Sequence, residues 1–209
     1  HIAERYGEFT IIVLGEVVAA IATAMQEAVD HSRPSPGLIT AAAAGLLLVF
    51  ALWWSYFKHS ATEEIRQSLR WTFVWAFAHY LIFAAVAALG AGLQVVIGTL
   101  THSTRVTPSF AAFTVAIPVT IYIVVLAQLS TRGSGEASAR QLTLLTGALI
   151  LAAAAATPIL TLPFSIVIMV VLVAVPPVIR SQPGWRPVWV QAGMYAALVL
   201  PLLWRRRRP

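Results

Sequence analysis

Long apolar segments alternate with short polar connections along the chain. The segments stay apolar for about twenty positions, the length of a membrane-spanning helix, without the strict alternation of a membrane β-strand. Seven segments qualify, at residues 9–26, 37–57, 71–93, 108–129, 142–156, 159–179 and 188–204. The pattern predicts an all-α fold, a polytopic transmembrane helix bundle of about seven spans (six or seven), in a single transmembrane domain over residues 1–209.

The fifth and sixth segments are separated only by Thr157 and Pro158. One uninterrupted helix from Leu142 to Ile179 would be about 57 Å long, nearly twice the thickness of the hydrocarbon core of a bilayer. The sequence therefore predicts a tight helical hairpin at this point.

The composition leaves too little charge for a water-soluble globule. Apolar residues make up 59% and charged residues 11% of the 209 positions, with a mean hydropathy of +0.81. A soluble domain carries roughly 25% charged residues. The chain has no cysteine, which excludes a disulfide scaffold and a thiolate metal site. The lipid bilayer is therefore its predicted environment.

The net charge of +6 comes from arginines in the short connections and from a terminal run at residues 205–208. The bilayer accounts for basic residues in such places, so no nucleic-acid partner is predicted. One side of the predicted spans carries eight basic residues, Arg5, Lys58, Arg66, Arg70, Arg132, Arg140, Arg180 and Arg186. The other side carries Arg33, Arg105 and the terminal run. The first side is predicted to be cytoplasmic. The terminal arginines contradict this orientation if the last segment spans the membrane. Either that segment does not cross, or a dominant upstream signal fixes the topology.

The chain starts at His1, without an initiator methionine and without a signal-peptide pattern. We therefore expect the chain to be a fragment whose true N-terminus lies upstream.

A polar stripe runs along the first predicted helix. Glu16 lies about two turns inside the apolar segment, where an ionised carboxylate is costly unless it is paired or hydrated. At 100° per residue, the other members lie on the same side of the helix: Arg5, Thr23 and Glu27 within about 20° of Glu16, and His1 and Glu8 about 60–80° away. The stripe is expected to face the bundle interior or water. Three interpretations of Glu16 remain open. It belongs to a proton or ion relay or binds a substrate, or it forms a buried structural pair with an arginine or a hydroxyl of another helix, or it is simply protonated.

His79 is the other ionisable residue deep inside a predicted span. An imidazole titrates near neutral pH and can shuttle protons, or it can donate one hydrogen bond to a neighbouring helix without changing charge. The second segment ends in an aromatic cluster that includes Trp54 and Tyr56 and is typical of a membrane interface. No phosphate-binding loop, zinc-binding helix or serine nucleophile turn occurs in the sequence, and no cofactor is predicted.

The opening sixteen residues resemble the signature of the bacterial low temperature requirement protein A family. That pattern is His-x-x-Glu-Arg-x-Gly-x-Phe-Thr-Ile-Ile-x-Leu-Gly-Glu, and eleven positions match: His1, Glu4, Arg5, Gly7, Phe9, Thr10, Ile11, Ile12, Leu14, Gly15 and Glu16. Two weaker matches follow, Trp53-Trp54-x-Tyr56-Phe57 and Ala78-His79-Tyr80. The second match precedes a small-residue helix that ends in Ala91-Gly92-Leu93. Acidic residues that the family often has after the Tyr-Phe pair and after this Gly-Leu pair are replaced here by Lys58 and Gln94.

The resemblance covers about the first 95 residues. It implies a bacterial cytoplasmic membrane protein, of which this chain is the C-terminal half, but no reaction or substrate. The predicted binding or relay residues are His1, Glu4, Arg5, Glu8, Thr10, Glu16 and His79, supported by Trp54, Tyr56 and Gln94.

Three hypotheses compete for the function. The first is a transporter or channel-like protein for a small solute or ion, with Glu16 as the coupling carboxylate, Arg5 as its partner or gate, and His79 in a proton relay. The second is a lipid-modifying membrane enzyme that uses His1, Glu4 and Glu8 for metal binding or acid–base chemistry. The third is a non-catalytic membrane scaffold. Whether the protein binds a metal or forms a homo-oligomer is left open.

Overall fold

A computed structural model describes residues 2–31, 35–58, 69–130 and 137–180. All regular elements in these ranges are helices, namely α1 (Ile2–His31), α2 (Pro36–Lys58), α3 (Leu69–Leu100), α4 (Pro108–Ser130), α5 (Ala137–Ala155), α6 (Thr157–Leu160) and α7 (Leu162–Arg180). The predicted all-α fold is therefore confirmed.

Four of the helices are long and apolar enough to cross a membrane, over Glu4–Asp30, Pro36–Lys58, Trp71–Leu100 and Pro108–Leu129. They correspond to the first four predicted spans. The fifth and sixth predicted spans form shorter apolar helices, Arg140–Ala155 and Leu162–Ala174. The seventh, residues 188–204, lies outside the described residues. The helical membrane bundle is confirmed, and the total number of spans stays a prediction.

The helices pack side by side in a bundle. Helix α1 packs against α2 and α3, α3 lies along α4, α4 contacts α5 and α7, and α7 packs along α2. Large apolar side chains from α2 and α3, among them Leu48, Leu52, Ile82 and Leu89, are completely or almost completely buried between these helices.

One face of α1 is buried and the other is open. The buried residues recur at alternating spacings of three and four, which is the pattern of a helix that packs along one seam: Gly7, Thr10, Leu14, Val17 and Ile21. Two glycines of the neighbouring helices meet this seam. A Cβ atom at Gly90 would lie 3.5 Å from Cγ2 of Val17, and one at Gly45 would lie 3.3 Å from Cδ1 of Ile21.

Helices α3 and α4 pack backbone against backbone at Gly92. A Cβ atom at this position would lie 2.3 Å from the carbonyl oxygen of Thr114, well inside van der Waals contact. The Thr114 hydroxyl donates a hydrogen bond of 3.3 Å to the Gly92 carbonyl oxygen. Small residues permit such close contacts between membrane helices, where packing replaces the hydrophobic effect as the force for association.

The predicted hairpin between the fifth and sixth segments agrees with the structure, because α5 and α7 contact each other. The connection contains the short helix α6 and then Thr161, whose φ of 70° lies in the left-handed region. The hydroxyl oxygens of Thr157 and Ser165 lie 3.0 Å apart in a hydrogen bond across the turn. This bond links α6 to the first turn of α7.

Replacing Gly92 with alanine tests the close approach of α3 and α4. Gly92→Ala forces the added methyl group against the Thr114 backbone, and overpacking of this kind costs about 1–3 kcal/mol. We expect a lower Tm in detergent. The matched control is Gly15→Ala, since a Cβ atom at Gly15 has no neighbour within 4 Å. A Tm for Gly92→Ala equal to that of the control would contradict the close approach.

Candidate functional site

His79 lies at the centre of a buried polar network. Its side chain on α3 is 2% exposed. Nδ1 is 2.8 Å from the Trp75 carbonyl oxygen, and Nε2 is 3.0 Å from the Tyr56 hydroxyl. A carbonyl oxygen only accepts, so Nδ1 carries a proton and donates to Trp75. In the neutral imidazole Nε2 then accepts from the Tyr56 hydroxyl, and both ring nitrogens are satisfied.

Thr10 brings the first helix into this arrangement. Its side chain is fully buried, its hydroxyl donates a hydrogen bond of 2.8 Å to the Tyr6 carbonyl oxygen, and it also interacts with the Tyr56 side chain. We call Thr10, Tyr56 and His79 the His79 network. The network joins α1, α2 and α3 through one polar side chain from each helix.

Besides Tyr56, three aromatic rings lie around the imidazole, and we call them the aromatic cage: Tyr6, Trp75 and Phe83. Their ring centroids lie 5.0, 4.0 and 5.9 Å from that of His79. Trp75, His79 and Phe83 are four residues apart along α3, so they project from the same side of the helix. Tyr6 closes the cage from α1, edge-on to both Trp75 and His79. The cage separates the network from lipid.

Tyr122 was not identified from the sequence. It is 1% exposed, and its hydroxyl donates a hydrogen bond of 3.0 Å to the carbonyl oxygen of Leu52, one turn before Tyr56 on α2. This bond ties α4 to the helix that carries Tyr56. A tyrosine between two isoleucines in the middle of an apolar segment could have indicated a buried hydroxyl that needs an acceptor.

The structure does not bring the acidic candidates into the network. Glu4, Arg5, Glu8 and Glu16 are all exposed on α1. The continuous helix separates Arg5 from Glu16 by about 16 Å along its axis, too far for the pair that the sequence suggested. The apolar seam of α1 occupies the side that meets the neighbouring described helices, so the stripe lies on the outward side of this helix. Of the two expected environments, the bundle interior or water, contact with water stays a prediction.

The remaining candidates divide in the same way. Of the supporting residues, Tyr56 belongs to the His79 network, whereas Trp54 and Gln94 are exposed. His1 lies outside the described residues. Within the described ranges, no group of three or more His, Asp or Glu side chains could hold a metal ion. A site that uses His1 with Glu4 and Glu8 therefore stays a prediction.

Long apolar helices packed around a buried polar centre define the class of protein, an all-α integral membrane protein. The family model of the bacterial low temperature requirement A protein (LtrA) matches residues 1–176 of the 209-residue chain. The chain therefore belongs to this family, and the match extends well beyond the first 95 residues that carry the sequence motifs. Comparisons with curated proteins and with solved structures give no match.

Removing the Tyr56 hydroxyl tests the bond to His79. Tyr56→Phe leaves Nε2 of His79 without its donor, and hydrogen bonds between membrane helices are worth about 0.6–2 kcal/mol. We expect a lower Tm. Tyr80→Phe is the matched control, because Tyr80 lies on the same turn of α3 as His79 but is 65% exposed. Equal Tm values for the two variants would show that the bond does not stabilise the bundle.

Proposed function

We propose that the protein is a transporter or channel-like protein of the bacterial cytoplasmic membrane that moves a small solute or ion. The His79 network is its titratable centre. The observation that carries this proposal is a histidine buried among apolar helices, with both ring nitrogens hydrogen-bonded and its neighbours contributed by three helices.

The chemistry of the three side chains suits proton exchange. An imidazole binds and releases protons close to neutral pH. The hydroxyls of Tyr56 and Thr10 can each donate and accept a hydrogen bond, so a proton can pass along them without large movements of heavy atoms. Ionisable residues inside membrane spans mark ion and proton pathways in many transporters. These properties support a relay more directly than they support lipid chemistry.

The position of the network gives the relay an accessible end. Thr10 lies nine residues into the chain from His1, and Tyr56 is two residues before Lys58, where α2 ends. Both residues are therefore within about three helical turns of the side that the arginine distribution predicts to be cytoplasmic. His79 lies at a similar depth, ten residues after the start of α3 at Leu69. The relay would exchange protons with that surface.

Replacing His79 with asparagine tests the relay. Asparagine can still donate to the Trp75 carbonyl but does not titrate. In liposomes that contain the complete natural protein, we expect His79→Asn to lower proton or solute flux at least tenfold and to abolish the dependence of that flux on pH. His102→Asn is the matched control, since His102 is exposed in the loop after α3.

A purely structural role gives a different result. If His79 only ties helices together, the asparagine variant has a lower Tm, but its flux per folded molecule keeps the pH dependence of the natural protein. That outcome would overturn the relay. Measuring Tm and flux on the same preparation separates the two roles.

Glu16 enters this proposal as the coupling carboxylate, at a site separate from the His79 network. Glu16→Gln removes the charge with little change in shape, and we expect it to reduce flux driven by a pH gradient. Glu16→Asp keeps the charge and should restore part of that flux. If the glutamine variant transports as fast as the natural protein, Glu16 has no role in coupling.

A further inference from the structure

Tyr122 is a buried tyrosine to which the proposed relay assigns no part. Among the described residues it is the largest side chain that is fully buried, with 1% of it exposed. Apolar side chains one turn away on α4, Val119 and Leu126, are buried on the same side of the helix. A phenol hydroxyl in such surroundings is costly unless it finds an acceptor. Because phenylalanine would fill the space without that cost, the hydroxyl itself requires an explanation.

The acceptor of the Tyr122 hydroxyl lies on the helix that carries Tyr56. The hydroxyl donates a hydrogen bond of 3.0 Å to the carbonyl oxygen of Leu52. Because Leu52 precedes Tyr56 by four positions in α2, the same carbonyl accepts from the backbone N–H of Tyr56. A carbonyl oxygen has two lone pairs and can accommodate both donors. Tyr122 therefore binds the helical turn from which the Tyr56 side chain projects.

This bond connects two helices whose backbones have little direct contact. Helix α4 packs mainly along α3 and also contacts α5 and α7, whereas α2 packs mainly along α7. The Tyr122 side chain crosses the space between α4 and α2, and its phenol group is close enough to that of Tyr56 for the two to interact electrostatically. Tyr122 therefore links α4 to one particular turn of α2.

The position of this turn matters because Tyr56 must reach His79 on a third helix. Helix α2 packs less extensively along α3 than along α7, so packing between α2 and α3 constrains the turn only weakly. The Tyr56 hydroxyl lies 3.0 Å from Nε2 of His79, within the narrow range of hydrogen-bond distances. A displacement of the turn by about 1 Å away from α3 would break that bond.

We propose that Tyr122 is a positioning residue for the His79 network. By binding the Leu52 carbonyl oxygen, its hydroxyl holds the turn of α2 at the distance at which Tyr56 donates to Nε2 of His79. Tyr122 acts through Tyr56 and takes no proton itself. The consequence for proton transfer rests on the proposed function, whereas the positioning of Tyr56 does not.

A purely structural role for the same bond predicts a different result for Tyr122→Phe. Phenylalanine keeps the ring and removes only the hydroxyl, and the Leu52 carbonyl keeps the backbone N–H of Tyr56 as a donor, so the variant should fold. If Tyr122 only ties α4 into the bundle, Tm falls and the bond between Tyr56 and His79 persists. If Tyr122 positions Tyr56, that bond weakens as well.

The nitrogen resonances of the His79 ring report this bond directly. The complete natural protein, prepared with isotope-labelled histidine in detergent, gives a nuclear magnetic resonance spectrum in which His79→Asn identifies the His79 signals by their loss. Tyr56→Phe gives the Nε2 resonance of a ring without its donor. We expect Tyr122→Phe to move the Nε2 resonance at least half of the way from the natural position to that of Tyr56→Phe.

A double variant shows whether Tyr122 acts through Tyr56. Adding Tyr122→Phe to Tyr56→Phe should leave the His79 resonances where Tyr56→Phe alone places them, because the bond that Tyr122 supports is already absent. A further movement of these resonances in the double variant would show that Tyr122 affects the imidazole by another route, and this would overturn the proposal.

Ser165→Ala is the matched control. It removes another fully buried hydroxyl, which forms a 3.0 Å hydrogen bond with Thr157 outside the His79 network. We expect this variant to lower Tm without moving the Nε2 resonance of His79. An equal movement in Ser165→Ala and Tyr122→Phe would show that general loosening of the bundle is the cause, which would contradict a specific positioning role.

Two further results would overturn the proposal. If Tyr56→Phe moves the Nε2 resonance and Tyr122→Phe does not, Tyr122 only ties helices together. If Tyr56→Phe itself leaves the resonance in place, the bond that Tyr122 is proposed to support does not form.

Flux measurements separate this inference from the proposed function. If the relay operates, Tyr122→Phe should lower flux in liposomes by about threefold, which corresponds to the average strength of one hydrogen bond between membrane helices. It should cause no further loss in Tyr56→Phe. If the resonance moves as expected but neither Tyr122→Phe nor His79→Asn changes flux, the relay is wrong and the positioning role of Tyr122 stands.

Discussion

The apolar surroundings of a membrane helix are the constraint on which this structure depends, because hydrocarbon offers no hydrogen-bond partner. A polar side chain between them must find its hydrogen-bond partner inside the protein. Several hydroxyls do so one turn back on their own helix, as Thr10 donates to Tyr6, Ser55 to Ala51 and Thr146 to Leu142. Other polar groups reach across helices, as Tyr122 does to the Leu52 carbonyl oxygen and Tyr56 to His79. Among the described residues, the buried hydroxyl oxygen of Thr120 is the exception without a partner. The cross-helix bonds fix which helices are neighbours, and the local bonds let hydroxyls sit in apolar surroundings.

The first helix divides the molecule into two chemical environments. Its apolar seam faces α2 and α3, where Thr10 joins the His79 network and Tyr6 completes the aromatic cage. Its other side presents Glu16 and small residues outward. The chemistry of the two environments differs, since one holds a neutral titratable ring inside the aromatic cage and the other holds a carboxylate without a partner in the described ranges.

The lengths of the apolar segments predict where the helices lie along the chain. Helical periodicity does not predict which side of each helix is buried. Apolar length locates α1 to α4, although α1 and α3 extend beyond the predicted residues 9–26 and 71–93 because polar residues such as Glu4 and Gln94 continue the helices past the apolar windows. Helical periodicity places Glu16, Thr23 and Glu27 on one side of α1, but it does not say which side meets the neighbouring helices. The seam of Leu14, Val17 and Ile21 decides that, and it directs the acidic side outward. His79 and Tyr56 were predicted as separate candidates, whereas their bond requires the packing of α2 against α3, which no pattern within one segment contains.

The hydrogen bond between Nδ1 of His79 and the Trp75 carbonyl oxygen determines which ring nitrogen can bind a second proton. Because that nitrogen is already a donor, a proton that arrives can bind only at Nε2, which then changes from acceptor to donor. The Tyr56 hydroxyl must turn to accept, and its own hydrogen becomes available to the oxygen of Thr10. One protonation thus reverses the direction of donation between α3 and α2, while the Thr10 hydroxyl on α1 keeps donating to the Tyr6 carbonyl oxygen. The direction of the hydrogen bond between Tyr56 and His79 therefore depends on the charge of the imidazole.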